Sequence, residues 1–275
     1  MVKFSFISAV FLLGVMCFTS ACNNDIFGLF GSTNLDKRLE EKNNFTFLDK
    51  RGWRTLSSLG DEYSFIVLTD THIEDGNIYG LEKLKNVIEG SDIKFVVFSG
   101  DITQNGAARD IQAFIETADS MGVPCYPVIG NHDIYFDNWT SWKDKIGSTS
   151  YRIDADETTL IILDTANAFL GAWQMDWLDR ELRSTARHVF VFAHVNIFTE
   201  NPLDFQQHTS TKERARLVSL LQSRCNAMFT GHLHKRIERE AGNVKYITIE
   251  DYRDNRVYCV VSVSSSGISY RFERL

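Results

Sequence analysis

Cysteine is scarce in this chain of 275 residues, which contains only five. Cys17 and Cys22 belong to the N-terminal segment, which leaves Cys125, Cys225 and Cys259 for the rest of the chain. Three thiols allow at most one disulfide among themselves, so a fold held together by several disulfides is excluded. Cys125 and Cys259 lie in apolar, strand-like surroundings, which predicts small buried side chains.

Dense runs of lysine or arginine are also lacking. The chain has 29 basic and 36 acidic residues, a formal net charge of −7. A surface that binds nucleic acid carries clustered positive charge, so nucleic acid is not expected as a partner. Internal repeats and low-complexity segments are absent as well, and 44% hydrophobic content is enough for a substantial core. One large domain is therefore expected rather than two.

An apolar run from Phe4 to Phe18 lies close to the N-terminus. It is short for a bilayer span but has the length of a signal-peptide core, which predicts a signal peptide over residues 1–21. The small residues before Cys22 resemble the lipobox of bacterial lipoproteins, although Thr19 stands where that motif usually has leucine. The resemblance implies a lipid on Cys22 and an extracytoplasmic, membrane-anchored protein. The alternative is an ordinary secretory signal cut near Ala21, which gives a secreted or periplasmic protein.

The remainder of the chain divides into two parts. Residues 22–62 are polar, with scattered apolar residues and no clear period, which predicts a tether and lead-in. In residues 63–275, apolar runs of strand length alternate with segments of helical spacing, which is the pattern of an α/β domain. The strand-like runs are YSFIVL, KFVVFS, YPVI, TTLIILD, HVFVFAH, NAMFTGH, KYITIE and RVYCVVSV. Helical spacing is found in Leu81–Glu89, Ala107–Met121, Trp173–Leu182 and Thr211–Leu221.

Side chains that can bind metal stand at the ends of several of these strands. Asp70, Asp101 and Asn131 each follow an apolar run, and the carboxyl edge of an α/β sheet is where ligands bind. His72 follows Asp70 by two residues, so both side chains can point to one side of an extended segment. Other histidines have the same kinds of setting: His194, His232 and His234. Imidazoles, carboxylates and one amide, without thiolates, suit Mn, Fe or Zn better than Ca or Mg.

The blocks DTH, GD, GNHD, a lone H and GHLH occur in this order between about Tyr63 and Glu250. In this order they resemble the calcineurin-like metallophosphoesterases, and especially their small bacterial phosphodiesterases. Each block alone is weak, whereas the five together are specific. The resemblance implies an α/β fold of two mixed β-sheets packed face to face and flanked by helices. It also implies a hydrolase that holds two divalent metal ions and cleaves a small phosphate ester, with a preference for diesters.

Carried over position by position, the resemblance implies one ligand set for each metal ion. One set is Asp70, His72, Asp101 and His234, and the other is Asp101, Asn131, His194 and His232. The carboxylate of Asp101 would be shared, which offsets the repulsion between two neighbouring cations. A hydroxide that bridges the two ions would attack the phosphorus atom.

The remaining polar residues of GNHD are expected to be catalytic. His132 would donate a proton or a hydrogen bond to the phosphoryl or leaving-group oxygen, and Asp133 would orient and charge its imidazole. For the triplet alone, a turn built from Asn, His and Asp is the alternative. One departure from the family pattern is Asn196, which stands where a proline is common and which bears on the shape of the loop after His194.

Several alternatives remain open at this stage. A phosphomonoesterase or a nucleotide pyrophosphatase has the same fold, and a catalytically silent, surface-anchored binding protein is a candidate of another class. A silent protein would be expected to lack one or more of the metal ligands, and here all of them are present. His208 either lines the pocket or lies on the surface. A group of aromatic residues after GNHD either stacks on a nucleobase or packs a loop onto the core: Tyr135, Phe136, Trp139 and Trp142.

Overall fold

The computed structural model describes residues 35–56, 58–198 and 210–275, and for residues 136 and 137 the backbone only. The expected signal peptide, Cys22 and His208 lie outside the described residues. Within the described ranges, no helix combines the length and the apolar character needed to cross a membrane. The cysteines at 125, 225 and 259 are buried and free.

The strands of the described chain form two sheets. The strands of the first sheet are β1 (Tyr63–Leu68), β2 (Ile93–Ser99), β3 (Cys125–Val128), β10 (Val257–Ser264) and β11 (Gly267–Arg274). Those of the second are β4 (Tyr151–Ala155), β5 (Thr158–Ile162), β6 (His188–Phe192), β7 (Ala227–Thr230), β8 (Ile237–Ala241) and β9 (Val244–Thr248). The first sheet has the order β11-β10-β1-β2-β3 and the second the order β4-β5-β6-β7-β9-β8.

Both sheets are mixed: antiparallel strands lie at one edge of the first sheet and at both edges of the second. Strands β1, β2 and β3 run parallel, as do β5, β6, β7 and β9. Strands β10, β11, β4 and β8 pair antiparallel with their neighbours. Parallel neighbours bring their carboxyl ends to one edge of the sheet, so the loops that follow β1, β2, β3, β6, β7 and β9 are grouped in two short rows.

The two sheets pack face to face through aromatic side chains. Phe65 of β1 stacks on Phe95 of β2 with ring centroids 4.7 Å apart. Across the interface, the ring of Phe65 meets that of Phe190 of β6 edge-on at 5.1 Å. These rings are fully buried, and burial of such large apolar area is the main favourable contribution to folding.

Helices cover the outer faces of the sheets. They are α1 (Leu35–Leu39), α2 (Thr46–Asp49), α3 (Leu84–Ile88), α4 (Ala108–Ser120), α5 (Trp139–Lys145), α6 (Gly171–Glu181), α7 (Thr211–Leu221) and α8 (Tyr252–Asn255). Short 3-10 helices span Leu81–Lys83 and His132–Asp137. Phe114 of α4 packs on Phe98 of β2 at 5.0 Å, and Leu178 of α6 lies in a second buried cluster on the other sheet. The prediction of two mixed sheets with flanking helices is confirmed.

Residues 35–56 are folded against the domain that is predicted to begin at Tyr63. The polar composition of this segment gave no helical period, because its helices α1 and α2 are only 5 and 4 residues long. Phe47 is fully buried and its ring lies 5.6 Å from that of Phe114. Arg38 is also fully buried, and its Nε and Nη2 atoms each lie 2.8 Å from a carboxylate oxygen of Asp164. This segment therefore contributes to the core.

Candidate metal centre

The predicted ligands follow directly from the carboxyl ends of parallel strands in both sheets. Strand β1 leads to Asp70 and His72, β2 to Asp101, and β3 to Asn131. In the second sheet, β6 leads to His194 and β7 leads to the final pair, His232 and His234. The face-to-face packing of the two sheets brings these two rows of loops together.

The backbone at these positions is strained. Residues with a left-handed φ include Asp70 (53°), His72 (42°), Asp101 (48°), His232 (74°) and His234 (52°). This conformation is uncommon for residues with a side chain, costs on the order of 1–3 kcal/mol each, and is concentrated at functional sites. Hydrogen bonds between loops hold it, since Asp70 N donates to Gly100 O and His72 N donates to Asp101 O, each at 3.0 Å.

Two glycines allow the loops to approach each other. A Cβ at Gly130 would collide with the backbone nitrogen and carboxylate of Asp101. A Cβ at Gly231 would collide with the hydroxyl of Thr69 and the carboxylate of Asp70. The glycines of GNHD and GHLH are therefore required by close packing of one ligand loop on another.

In each of the two candidate ligands Asp70 and Asp101, hydrogen bonds fix one oxygen of the carboxylate. Asp70 Oδ2 accepts from Thr69 Oγ1 at 2.7 Å and from His232 N at 3.0 Å. Asp101 Oδ1 accepts from His132 N at 2.8 Å. The second oxygens, Asp70 Oδ1 and Asp101 Oδ2, face the histidines instead.

The side chains form two groups with the composition expected for metal sites. In the first, Asp70 Oδ1 lies 3.2 Å from His234 Nε2 and 3.7 Å from His72 Nε2. In the second, Asp101 Oδ2 lies 3.0 Å from His194 Nε2, and His194 Nε2 lies 3.2 Å from Nδ1 of His232.

Asp101 lies between the two groups. Its Oδ2 atom is 3.9 Å from His72 Nε2, which belongs to the first group, and 3.0 Å from His194 Nε2, which belongs to the second. The same oxygen is 4.0 Å from His132 Nε2, so His72, Asp101 and His132 form a third possible group of donors.

The donor atoms fit metal ions. Asn131 Oδ1 is buried, yet it has no hydrogen-bond partner among the described residues. His72 Nε2 and His234 Nε2 approach to 3.3 Å, a separation that two imidazoles acquire when each stands about 2.0–2.1 Å from one shared ion. Unpartnered buried oxygens are costly in a folded protein, and a cation would offset that cost.

Backbone carbonyls fix the orientation of two imidazoles. His194 Nδ1 lies 3.0 Å from Ser99 O, and His132 Nδ1 lies 2.8 Å from Gln104 O. A carbonyl only accepts, so Nδ1 carries the proton in both rings and Nε2 faces the site. For His194, this leaves Nε2 free to bind a metal ion.

The charges of the cluster shift the pKa values in opposite directions. Burial lowers the pKa of His194, but the carboxylate of Asp101 outweighs it and raises that pKa to about 9. Burial also lowers the pKa of His234, but the carboxylate of Asp70 outweighs it and raises that pKa to about 9. His232 is different, since burial and the neighbouring His194 lower its pKa to about 4. Despite burial, the surrounding histidines hold the pKa of Asp101 below its ordinary value.

The expected contact between Asp133 and the imidazole of His132 is wrong, because the Gln104 carbonyl occupies that position. The carboxylate of Asp133 is fully buried and accepts from Gly130 N at 2.9 Å and from Thr103 N at 2.8 Å. It also accepts from Ile102 N and from the hydroxyl of Thr103. Asp133 therefore joins the loop after β2 to the loop after β3.

The structure also describes the aromatic residues after GNHD and the residue at position 196. Tyr135, Trp139 and Trp142 are buried, which agrees with packing of the loop onto the core, and the side chain of Phe136 is outside the described atoms. Asn196 is buried, and its Nδ2 donates to Phe198 O at 2.6 Å. Gln104 and Tyr135 contact the site but belong to no metal-binding motif, so these contacts cannot be predicted from the sequence.

Comparison with known proteins agrees with this geometry. The family model of the calcineurin-like phosphoesterases matches residues 63–236. The chain belongs to this family. The family match covers the strands and loops that supply the candidate ligands, and it confirms the resemblance to the calcineurin-like phosphoesterases as a family.

Two curated relatives of this chain carry phosphodiesterase names. A probable cyclic nucleotide phosphodiesterase of Fibrobacter succinogenes is 29% identical over 140 residues, which are 46% of this chain and 54% of the relative. A probable glycerophosphodiester phosphodiesterase of Arcobacter nitrofigilis is 29% identical over 157 residues, 51% of this chain and 56% of the relative. The matched part thus spans about half the length of each.

A solved structure of similar fold is a dimetal phosphatase from Danio rerio. It superposes with a TM-score of 0.63 at 15% identity, over 76% of this chain and 95% of the other. At this identity the likeness concerns the fold, and it agrees with the sandwich of mixed sheets described above.

Proposed function

We propose that this phosphoesterase hydrolyses small phosphate esters, with a preference for diesters, at a centre of two divalent metal ions. The observation that carries the proposal is the arrangement around Asp101, whose Oδ2 faces histidines of both ligand groups. The family match supports phosphate esters as the substrate class. The preference for diesters draws on the names of the two curated relatives.

One ion would be held by Asp70, His72, Asp101 and His234, and the other by Asp101, Asn131, His194 and His232. The donor set of imidazoles, carboxylates and one amide suits Mn, Fe or Zn. Once bound, two such ions would supply a hydroxide nucleophile near neutral pH and offset the charge of the transferring phosphoryl group.

The residues of the chain supply the remaining chemistry. With Nδ1 of His132 directed at Gln104 O, any proton that this ring gives to a leaving oxygen comes from Nε2. Asp70, Asp101 and His194 are nearly or completely buried, which keeps water from competing with the ligand contacts. Asp133 is a positioning residue in this scheme, because it holds the loops that carry Asp101 and Asn131.

The test is an activity panel on the purified protein after removal and readdition of metal. Hydrolysis of bis-(p-nitrophenyl) phosphate and of the p-nitrophenyl monoester is compared with Mn, Zn, Fe and Mg. We expect turnover that requires added metal, faster with Mn, Fe or Zn, and faster on the diester. A metal-independent rate, or no hydrolysis of either ester, would contradict the proposal.

Asp101→Asn provides the variant, because it keeps the size of the side chain and removes the shared charge. It is expected to lower the metal content of both sites and to abolish turnover. Asp119→Asn is the matched control, since this carboxylate is 48% exposed and pairs with Arg51 rather than with a candidate ligand. If Asp101→Asn retained two ions per chain and normal turnover, the shared role of Asp101 would be wrong.

For location, we propose a lipid anchor on Cys22 that holds the enzyme outside the cytoplasm. The proposal draws on the apolar leader and the small residues before this cysteine. Cells are labelled with a palmitate analogue, and the labelled protein is compared between wild type and Cys22→Ser. Label on the wild type alone is the expected result, and equal label on both would exclude the anchor.

A further inference from the structure

The hydroxyl of Tyr135 meets the side-chain amide of Asn131. Nδ2 of Asn131 donates to Tyr135 Oη at 3.0 Å. The other end of the same amide, Oδ1, is buried and has no hydrogen-bond partner among the described residues. Tyr135 itself is only 3% exposed, so this contact is shielded from water.

The orientation of this amide decides whether Asn131 can bind a cation. The oxygen of an amide coordinates metal, whereas its NH₂ group is a donor and is repelled by positive charge. A partner that accepts from Nδ2 turns Oδ1 to the opposite side. Tyr135 Oη is such an acceptor, and its position four residues along from Asn131, in the 3-10 helix that begins at His132, fixes the distance.

The ring of Tyr135 makes a second contact with the site. Its centroid lies 4.2 Å from that of His132, at an interplanar angle of 40°. The imidazole therefore meets Gln104 O at Nδ1 and packs against the tilted ring of the tyrosine. The hydroxyl and the ring of one side chain thus serve two neighbouring residues of GNHD.

We propose that Tyr135 is a positioning residue that directs Asn131 Oδ1 toward one of the two metal ions and packs His132 in place. This inference rests on the proposed function, because it takes Asn131 as a metal ligand. It assigns the two tasks to separate parts of the side chain, the hydroxyl to the metal site and the ring to His132. Substitutions that remove one part or both then have different effects.

Tyr135→Phe removes the hydroxyl and keeps the ring. We expect the affinity for the ion that Asn131 would bind to fall about 10- to 100-fold. This is the range for loss of a residue that orients a metal ligand. The affinity for the ion bound by Asp70, His72 and His234 should stay the same. Because the ring still packs on His132, turnover should return to near the wild-type value at saturating metal. Tyr135→Leu removes both parts, so turnover should stay low at saturating metal.

Tyr63→Phe is the matched control. Tyr63 is also 3% exposed, and its hydroxyl pairs with Thr158 Oγ1 at 2.6 Å. It begins β1, whereas the ligands follow the far end of that strand, about 20 Å away at 3.3 Å per residue. This substitution removes a buried hydroxyl of the same kind, so it is expected to lower the melting temperature without changing the metal titration.

The metal-free wild type and each metal-free variant are titrated with Mn²⁺, and calorimetry measures the binding. Elemental analysis gives the metal content. Two ions per wild-type chain and one weakened site in Tyr135→Phe support the inference. Wild-type stoichiometry and affinity in a folded Tyr135→Phe would overturn it and leave the proposed function intact. A wild-type chain that binds no ion would overturn the proposed function, and this inference with it.

Discussion

Asp101 and His194 lie in loops that follow strands of different sheets, and Oδ2 of the aspartate lies 3.0 Å from Nε2 of the histidine. This contact joins the loop after β2 to the loop after β6 across the sandwich. Although burial opposes it, the negative charge raises the pKa of His194 to about 9. The carboxylate of Asp70 has the same effect on His234, whose pKa is also raised to about 9. In the metal-free protein at pH 7, both imidazoles are therefore protonated.

Metal affinity is expected to rise with pH, because each ion must displace one of these protons. The apparent affinity for each ion should rise about tenfold per pH unit between pH 7 and 9 and level off above pH 9. His232 adds no such dependence above pH 5, since its pKa is lowered to about 4. Calorimetric titrations at pH 6.5, 7.5, 8.5 and 9.5 measure the slope. Constant affinity over this range would contradict the proton competition.

The same pKa shifts predict how the stability of the metal-free protein changes. His194 and His234 have folded pKa values above the unfolded value of about 6.5, so their contribution is complete below that pH. It is lost as pH rises toward 9. The melting temperature of metal-free protein should thus fall between pH 6.5 and 9, and the metal-loaded protein should lack this fall. An equal fall in both forms would show that these imidazoles are not its cause.

Asp133→Asn is expected to weaken the fold and the metal site rather than to copy a defect in His132. The substitution places an NH₂ group among the donors of Gly130, Thr103 and Ile102 that now share the carboxylate. Loss of such buried hydrogen bonds costs about 1–3 kcal/mol each. Denaturant unfolding and metal content measure both effects. A variant with normal stability and metal content but slow turnover would contradict this account and indicate that Asp133 acts on the imidazole of His132.

The central strands and the positions of the candidate ligands are predictable because they are encoded locally. A buried parallel strand is a continuous apolar run, and its end is marked by a polar residue, as at Leu68 followed by Asp70. The strands that were not predicted are at or near the edges. In β11, residues alternate between partly buried and exposed, so Tyr270 and Phe272 are interrupted by polar neighbours and no apolar run forms.

Contacts made by backbone atoms cannot be predicted from the sequence pattern. The motif GNHD indicated a catalytic His132 but assigned its partner to the adjacent acid. The true partner is the carbonyl of Gln104, 28 residues earlier, and any residue type supplies a carbonyl. The burial of Arg38 likewise depends on Asp164, 126 residues away, which no local pattern connects to it.

Arg38→Met is expected to destabilise the protein by about 3–5 kcal/mol, because it leaves the charge of Asp164 buried without its partner. Both side chains are completely buried. Arg216→Met is the control, since Arg216 is 45% exposed, its partner Asp176 is 61% exposed, and loss of such a surface pair costs about 1 kcal/mol or less. Urea unfolding gives both values. Equal losses of unfolding free energy in the two variants would mean that the buried pair contributes no more to stability than the exposed pair.

The double variant Arg38→Met, Asp164→Leu separates the lost interaction from the unpaired charge. Removing both charges is expected to recover part of the stability, because a buried pair replaced by apolar side chains is often neutral. Recovery should be incomplete, since the carboxylate of Asp164 also accepts from Ala166 N at 3.1 Å. A double variant less stable than Arg38→Met would contradict this account.

His132→Ala is expected to separate metal binding from turnover. If Nε2 of His132 acts on the substrate and not on a metal ion, the variant keeps both ions and loses about 10²–10⁴ in turnover, the range for a positioned acid. A leaving group that departs without help needs little protonation, so a general acid predicts a smaller loss on nitrophenyl esters than on alkyl esters. Equal losses on both would indicate stabilisation of charge on the phosphoryl group. Since Nε2 of His132 also lies 4.0 Å from Asp101 Oδ2, loss of an ion in His132→Ala would instead make this histidine a ligand.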